Sequence, residues 1–258
     1  MKRHRSAPLA LLLALGLAGC ATGHAQPAAP VAPVATTPPI AAPVPPPRTP
    51  ESAVTPNNRN PRRHAEFLAR IQHGPVGVLF LGDSITDFWP RKGELTWLKF
   101  APYQPANFGI SAERTEDVLW RLQNGELDGI DPKVVVMMIG TNNLGHFADE
   151  RPEWAAAGVQ RLLETIRAKL PRATILLYAV FPRATAGSAL RTRVAELNRH
   201  LAPLADGRDI RFIDIGAGFL DAQGEIPADI MPDKLHPGHQ GYDVWYADLA
   251  PRLAELMR

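Results

Sequence analysis

Four short apolar segments, separated by stretches of helix length, constrain the fold of this chain more than any other feature of its sequence. They cover residues 76–81, 134–139, 174–180 and 210–214, and most of their side chains are β-branched or aliphatic. Such runs are typical of strands that are covered on both faces. Because they alternate with helical patterns, we predict an α/β domain in which a parallel sheet has helices on both sides.

The intervening segments carry the helical patterns. One extends from Thr115 to a turn signal at residues 124–125, and the others cover residues 152–170, 192–204 and 241–257. In sheets of this type, ligands bind beyond the carboxyl ends of the strands. The residues that directly follow each strand are therefore the candidates for a functional site.

Small, polar, turn-forming groups occupy these positions. Two follow predicted strands, one follows a further brief apolar stretch, and one lies near the C-terminus between prolines. In chain order the groups are Gly82-Asp83-Ser84, Asn107-Phe108-Gly109, Gly140-Thr141-Asn142-Asn143, and the pair Asp233 and His236. One such group alone has little specificity, but the ordered set of all of them is a specific pattern.

These blocks resemble the SGNH or GDSL hydrolase family, whose members carry Ser, Gly, Asn and His in this order. The resemblance covers essentially the whole domain, and the segment NFGISAERTEDVLWRLQNGELDGIDPKVVVMMIGTNN is most similar to the platelet-activating factor acetylhydrolase branch. It implies the SGNH hydrolase fold, a three-layer α/β/α arrangement with a flavodoxin-like parallel sheet. It also implies a serine esterase for short-chain, chiefly acetyl, esters. A lysophospholipase or thioesterase, and a carbohydrate O-acetylesterase, are the alternatives.

Ser84, His236 and Asp233 have the chemistry of a catalytic triad. A serine hydroxyl is a poor nucleophile at neutral pH, so a neighbouring imidazole must take its proton during attack on an ester. His236 is the candidate base, and Asp233 can hold the imidazole in one tautomer and stabilise the imidazolium. Without the other blocks, Asp233 and His236 are more typical of a capped surface turn, so the triad is predicted from the full set.

The resemblance implies three donors for the negative oxygen that forms during attack: the backbone amides of Ser84 and Gly109 and the side-chain amide of Asn142. A glycine at position 109 lets the backbone come close to the substrate, which a Cβ would obstruct. We expect Ser84 to begin a helix, whose exposed amides and positive dipole end favour an anionic intermediate.

Further residues are assigned to the surroundings of the substrate. By resemblance, Ile85, Thr141 and Leu235 wall a small acyl site, and Arg183 braces its mouth. Asn143 stands where many family members have Asp, whereas the acetylhydrolase-like branch has Asn.

Three polar residues near the blocks receive smaller roles. Asp83 is expected to tie the turn at Ser84 to neighbouring loops, with an acid role as the alternative. His146 is either part of the pocket rim or a solvated loop residue. His239 lies three residues after His236, but no third ligand is near in sequence, so we predict neither a metal nor a cofactor.

An export signal is predicted at the N-terminus. Residues 1–20 combine a basic head with a short apolar run that ends at Leu17-Ala18-Gly19-Cys20, a sequence that resembles a bacterial lipobox. We expect Cys20 to be lipidated and the protein to be anchored in the bacterial cell envelope, in the periplasm or at the outer membrane. Ordinary cleavage after Ala25, which gives a secreted periplasmic protein, is the alternative.

The next segment, residues 21–58, is rich in Pro and Ala and has no period that could bury one face. It is predicted to be an extended linker, and the hydrolase domain is assigned to residues 59–258.

Charge and motifs exclude other classes of protein. The formal net charge is +2 without a basic stripe interleaved with aromatic residues, so nucleic acid is not an expected partner. The surroundings of Ser84 lack the G-x-S-x-G pattern of α/β-hydrolases, and the intact set of polar blocks argues against a non-catalytic scaffold. The expected partners are a small ester or acetylated glycan, a membrane through the lipid anchor and, by resemblance, a second copy in a homodimer.

Overall fold

Five parallel strands form the central sheet of the computed structural model, which describes residues 46–258. The strands are β1 (Val78–Gly82), β2 (Pro105–Gly109), β3 (Val134–Met138), β4 (Thr174–Tyr178) and β5 (Ile210–Ile213). Their spatial order is β2-β1-β3-β4-β5, and every neighbouring pair is parallel. This is the flavodoxin-like order, so the predicted fold class is confirmed.

Helices cover both faces of the sheet. The helices are α1 (Pro61–Ile71), α2 (Ser84–Asp87), α3 (Trp89–Lys92), α4 (Glu94–Trp97), α5 (Thr115–Gln123), α6 (Thr141–His146), α7 (Pro152–Lys169), α8 (Ala189–Leu201) and α9 (His239–Leu256). On one face, α1, α5, α7 and α8 pack on alternate strand residues, and on the other face α9 packs together with the short helices that follow β1. Short 3-10 helices cover Leu98–Tyr103, Ala202–Leu204 and Gly216–Phe219.

The register of the strands brings the polar blocks together at the carboxyl ends of the strands. Gly82, the last residue of β1, lies opposite Gly109 on β2 and Met138 on β3. These three neighbouring strands, β2, β1 and β3, therefore end at the same level, and the loops that follow them lie side by side. None of the helices in the part of the chain that the structure describes is both long and apolar enough to cross a membrane.

The compact unit begins earlier than the predicted domain boundary at residue 59. It includes residues 46–58, and Ala53 within the assigned linker is fully buried. The hydroxyl of Thr115 donates to the carbonyl of Ala53 at 2.9 Å, and Arg48 forms an ion pair with Glu116 at 2.9 Å. The part of the assigned linker from residue 46 onward therefore packs on the domain. The predicted signal peptide 1–20 and Cys20 lie outside the described residues.

A buried cluster of ion pairs lies beside the segment that follows β2. The guanidinium of Arg121 on α5 pairs with Glu113 at 2.9 Å and with Glu126, and it also donates to the carbonyl of Phe108 at 3.1 Å. All three charged side chains are almost completely buried. An unpaired charge in the interior is costly, so Glu113 must stay close to Arg121. The ion pair therefore holds the segment after β2, which carries Glu113, in one position.

Candidate active site

Helix α2 begins at Ser84, directly after β1. Asp83 is its N-cap, and the Asp83 Oδ1 accepts a hydrogen bond from the backbone N–H of Ile85 at 2.9 Å. Asp83 therefore caps its own helix instead of tying the turn to other loops through its side chain. Because α2 is a single turn, its dipole is small. The group that it offers to a negative oxygen is the backbone N–H of Ser84, its first residue, which has no acceptor within the helix.

Ser84, His236 and Asp233 form a continuous chain of hydrogen bonds. The Ser84 Oγ lies 2.9 Å from His236 Nε2, and His236 Nδ1 lies 2.6 Å from Asp233 Oδ2. The other oxygen of Asp233 accepts the backbone N–H groups of His236 at 2.7 Å and of Leu235 at 3.1 Å. The structure thus brings together three side chains that lie at opposite ends of the domain sequence.

The surroundings of the imidazole keep Asp233 ionised and the ring in place. Partial burial opposes the charge of Asp233, but the backbone and side-chain hydrogen bonds from His236 outweigh it and lower the pKa of the carboxyl. The ring of Phe88 packs against His236 with centroids 5.2 Å apart. Phe88 was assigned no role from the sequence, because its contact with a residue near the C-terminus is formed only in the folded chain.

Two glycines allow the blocks to approach each other. A Cβ on Gly82 would lie 2.2 Å from the hydroxyl of Thr86, and one on Gly109 would lie 2.3 Å from the backbone nitrogen of Asp87. Both glycines are therefore required by close contact with α2. At Gly109 the position that a Cβ would take is occupied by backbone atoms of the protein. From the sequence we expected the substrate there.

The backbone N–H of Gly109 already has an acceptor in this structure. It donates to the Oδ1 of Asn107 at 2.9 Å, while the side-chain nitrogen of Asn107 donates to the carbonyl of Thr86 at 2.7 Å. A negative oxygen bound by Gly109 would have to share or replace the Asn107 oxygen. Asn107 belongs to the second block, but its side chain was assigned no role from the sequence.

Asn142 lies at the start of α6 with its amide directed by the loop after β2. The Asn142 side-chain nitrogen donates one hydrogen bond, to the carbonyl of Glu113 at 3.0 Å. An amide nitrogen carries two protons, so one remains to donate elsewhere. The buried Arg121 cluster fixes Glu113 and so indirectly fixes this side chain.

The side chain of Asn143 has a structural role. Its oxygen accepts the backbone N–H of Thr115 at 3.1 Å, and its nitrogen donates to Thr115 Oγ1 and Glu116 at 3.1 Å and to Glu150 at 3.3 Å. An Asp at this position would add a third carboxylate where Asn supplies donors. The amide thus fits the surroundings that this chain provides.

The predicted acyl-site residues differ in how much surface they offer. Ile85 and Thr141 are almost fully buried, and Ile85 packs in the core on the α9 side of the sheet. Leu235 is partly exposed beside His236. A cavity of about 460 Å³ lies elsewhere, between α8 and the loops after β4 and β5, and its lining includes Val194 and Phe212 but none of these residues.

Burial raises the pKa of Asp83 to about 7. The hydrogen bond from Ile85 and the charge of Arg183 act in the opposite direction, while the charge of Glu113 raises the pKa further. The Asp83 Oδ2 is buried and has no hydrogen-bond partner among the residues that the structure describes. The residue next to the serine therefore changes its charge near neutral pH.

The remaining histidines lie outside the hydrogen-bonded chain. His146 lies at the end of α6, where removal of part of the ring from water, together with the charges of Arg114, Arg59 and Arg183, lowers its pKa. His239 is exposed and contacts Asp243 at 3.2 Å. Within residues 46–258, no group of three or more His, Cys, Asp or Glu side chains could hold a metal ion.

Residues 80–244 match the model of the GDSL-like Lipase/Acylhydrolase family. The chain belongs to this family. The matched range includes the serine, glycine, asparagine, aspartate and histidine of the polar blocks. The predicted family is thereby confirmed, and this GDSL-like acylhydrolase is a carboxylic ester hydrolase.

Relatives of this acylhydrolase support the same assignment. It is 34% identical over 181 residues to the platelet-activating factor acetylhydrolase IB subunit alpha2 of Rattus norvegicus, with 70% of this chain and 77% of the relative covered.

Two solved structures share its fold. A GDSL-like lipase from Bacteroides thetaiotaomicron has a TM-score of 0.62 at 19% identity and covers 74% of this chain and 97% of its own. A carbohydrate acetylesterase from Sinorhizobium meliloti has a TM-score of 0.55 at 18% identity, with 69% and 98% covered. At these identities the likeness shows the fold alone.

Proposed function

We propose that this acylhydrolase is a serine esterase for short-chain esters, with Ser84 as nucleophile, His236 as base and Asp233 as the residue that orients the imidazole. The observation that carries the proposal is the unbroken hydrogen-bonded chain from Ser84 Oγ through His236 to Asp233. A serine bonded in this way to an imidazole, which is itself bonded to a carboxylate, can be activated at neutral pH.

Hydrolysis then proceeds through an acyl-enzyme. As Ser84 Oγ attacks the ester carbonyl, its proton moves to His236 Nε2, and the carbonyl electron pair moves onto oxygen. When the tetrahedral intermediate collapses, the C–O bond to the alcohol breaks and His236 returns the proton to the leaving oxygen. Water attacks the acyl-enzyme by the same route, with His236 as base again, and the carboxylic acid departs as Ser84 regains its proton.

The negative oxygen of both intermediates requires donors that are already in place. The backbone N–H of Ser84 and the second amide proton of Asn142 supply them, because within the described residues neither is bonded to an acceptor that must be displaced. Gly109 becomes a third donor when its N–H turns from Asn107 toward the substrate. Asn142 is thus the side chain on which stabilisation of the intermediates depends most.

The acyl group is proposed to be short. Ile85 is packed in the core and Thr141 is covered by Arg183, so neither borders an open apolar channel. Each methylene that fits an apolar pocket contributes about 0.8 kcal/mol, so a site for long chains would favour octanoate strongly. We expect kcat/KM to fall from p-nitrophenyl acetate to butyrate to octanoate, measured below micelle formation; octanoate as the best substrate would favour a lipase or thioesterase.

The test of the nucleophile is Ser84→Ala. Ester hydrolysis should be lost while the thermal unfolding curve stays unchanged, because one oxygen is removed beside the imidazole. Ser111→Ala is the matched control, since Ser111 Oγ donates to Asp87 at 2.8 Å and has no imidazole partner. Retention of most activity in a folded Ser84→Ala protein would eliminate this nucleophile.

An O-acetylated glycan is the second candidate substrate. A carbohydrate acetylesterase shares the fold. Asp233 beside His236 is exposed, which leaves room for a leaving alcohol as large as a sugar unit. Release of acetate from acetylated xylan or acetylated peptidoglycan, compared with p-nitrophenyl acetate at equal enzyme concentration, separates the two candidates.

We also propose the cell envelope as the location, through a lipid on Cys20. The support is the lipobox-like sequence before Cys20. Cys20→Ser should move the protein from the membrane fraction to the soluble fraction, whereas unchanged partitioning favours cleavage after Ala25.

A further inference from the structure

Arg183 lies between the two loops that carry the proposed catalytic groups. Its Nη1 donates to the carbonyl of Thr141 at 2.9 Å and to the Thr141 hydroxyl at 3.1 Å. The next residue, Ala184, donates its backbone N–H to the carbonyl of Lys234 at 2.9 Å. Thr141 directly precedes the proposed oxyanion asparagine, and Lys234 lies on the loop of the proposed base. The guanidinium is therefore at the mouth of the site.

The protein holds this guanidinium in a fixed position. Gly145 on α6 makes room for it, because a Cβ at that position would lie 2.2 Å from Nη1. The carbonyl of Arg183 accepts a hydrogen bond from Arg191 Nε at 2.8 Å, which fixes the backbone as well. A cation that is held by its surroundings needs little further ordering when it binds a ligand.

The charge of Arg183 has no direct partner. Within the described residues, no carboxylate lies within 4.0 Å of it. Its neighbour Arg191 also lacks a carboxylate but donates to the backbone carbonyls of Arg183 and Gly224, and Lys234 pairs with Glu225 at 2.9 Å. Its Nε and Nη2 bond to no other residue in this part of the chain.

Two carboxylates face Arg183 from a longer distance. Burial lowers the pKa of the Arg183 guanidinium, and the charges of these two carboxylates, Asp83 and Asp233, oppose that shift. Asp83 is buried and bonded to Ile85, and Asp233 is already bonded to His236. Neither therefore occupies the free edge of the guanidinium.

We propose that Arg183 binds a carboxylate or phosphate on the alcohol portion of the substrate. A guanidinium presents a planar fork of donors that matches the oxygens of these anions, and partial burial strengthens the attraction. The alcohol leaves on the side of His236, which protonates it, and Arg183 lies beside that loop. The proposal rests on the proposed esterase function and adds the class of ester that the enzyme prefers.

The test compares three acetyl esters with one aromatic core: 4-acetoxybenzoate, 4-acetoxyphenyl phosphate and the neutral 4-acetoxybenzamide. Wild type, Arg183→Gln, Arg183→Lys and Arg199→Gln are assayed with each ester. Arg199 is an exposed residue on α8, so its substitution removes the same charge away from the site.

Arg183→Gln should lower kcat/KM for at least one anionic ester about ten- to hundredfold relative to its effect on the neutral ester, mainly through KM. Arg183→Lys should retain part of the preference, and Arg199→Gln should change the three esters equally. The comparison of the two anions shows whether the carboxylate or the phosphate fits.

An equal loss for all three esters would overturn the proposal and assign Arg183 to holding the Thr141 loop. If Arg183→Gln does not fold, inhibition of wild-type p-nitrophenyl acetate hydrolysis decides instead: benzoate or phenyl phosphate should compete, and competition no stronger than that of benzamide rejects the proposal. Failure of folded wild type to hydrolyse any ester counts against the esterase function itself, which is a separate result.

Discussion

Asn142 and Asn143 show how two adjacent identical side chains take different roles. The nitrogen of Asn143 donates to three side chains, whereas that of Asn142 donates only to the carbonyl of Glu113. The sequence could single out the pair through the block that contains it. It could not show which acidic residues surround Asn143, because these lie on α5 and in the loop before α7.

Asn142→Ala should lower kcat about a hundredfold or more and leave KM little changed, since an oxyanion donor acts mainly in the transition state. Steady-state kinetics with p-nitrophenyl acetate measures both values. A change confined to KM would assign Asn142 to binding of the ground state. Thermal unfolding of the variant separates this loss from a disturbed fold.

Asp83 gives folding a pH dependence whose sign follows from its raised pKa. The folded-state pKa is about 7, against an ordinary value of 3.8, so the folded protein retains a proton that the unfolded chain releases. The associated stabilisation is complete below about pH 4 and is lost as pH rises through 7.

Asp83→Asn keeps an oxygen acceptor for the Ile85 N–H and cannot ionise. Its unfolding free energy relative to wild type should therefore rise between pH 4 and pH 8, by up to about 4 kcal/mol. Urea unfolding of both proteins at pH 4, 6 and 8 measures the difference. A difference that stays constant over this range would contradict the raised pKa.

At the scale of elements, the hydrophobic pattern predicted most strands of the sheet, but it did not predict strand β2 at the edge or helix α1. β3, β4 and β5 fall within three of the apolar runs, and β1 overlaps the first run and ends one residue beyond it at Gly82, because strands covered on both faces are typically apolar. β2 was only a brief apolar stretch in the sequence, and α1 was not predicted. Helix α1 is rich in charged side chains and buries only His64 and Phe67, so its contacts with the domain were not readable from local pattern.

The Arg121 cluster was also invisible to pattern. A charged residue on a helix normally indicates a solvent-exposed face, yet Arg121 is buried between Glu113 and Glu126. Only the folded chain brings its partners close enough to compensate for burial. The same side chain holds the carbonyl of Phe108, so it connects the interior to the loop after β2.

Arg121→Met should lower the free energy of unfolding by about 3–5 kcal/mol, because it leaves two buried carboxylates without their cation. The matched control is Arg161→Met, which removes an exposed pair with Glu164 and should cost at most about 1 kcal/mol. Urea unfolding measures both changes. Equal effects of the two substitutions would show that the buried cluster does not contribute beyond a surface pair.

At the scale of the whole molecule, the folded unit includes a segment whose composition predicted a linker. Arg48 pairs with Glu116 and Glu150, which lie 68 and 102 residues away in sequence. A Pro-rich segment has no periodic apolar face, so contacts of this kind could not be predicted. The segment reaches Asn143 through Glu150, and it therefore supports the loop that carries Asn142.

A chain that begins at residue 46 should be as stable as the full protein, whereas one that begins at residue 59 should lose about 3 kcal/mol or more. The shorter chain lacks Arg48 and the buried Ala53, and it leaves the buried carboxylate of Glu150 without its cation. Urea unfolding of both chains checks this expectation. Equal stability of the two would restore residue 59 as the effective boundary.

The bond between Ser84 and His236 joins residues that are 152 positions apart. During synthesis the serine leaves the ribosome long before the histidine exists, and such distant pairing is reached late when a chain folds. In any intermediate in which α9 and the loop before it have not docked, Ser84 lacks the imidazole that we propose as its base. We therefore expect ester hydrolysis only from the completely folded molecule. A chain that is still being synthesised, or one that lacks its C-terminal part, should show no hydrolysis.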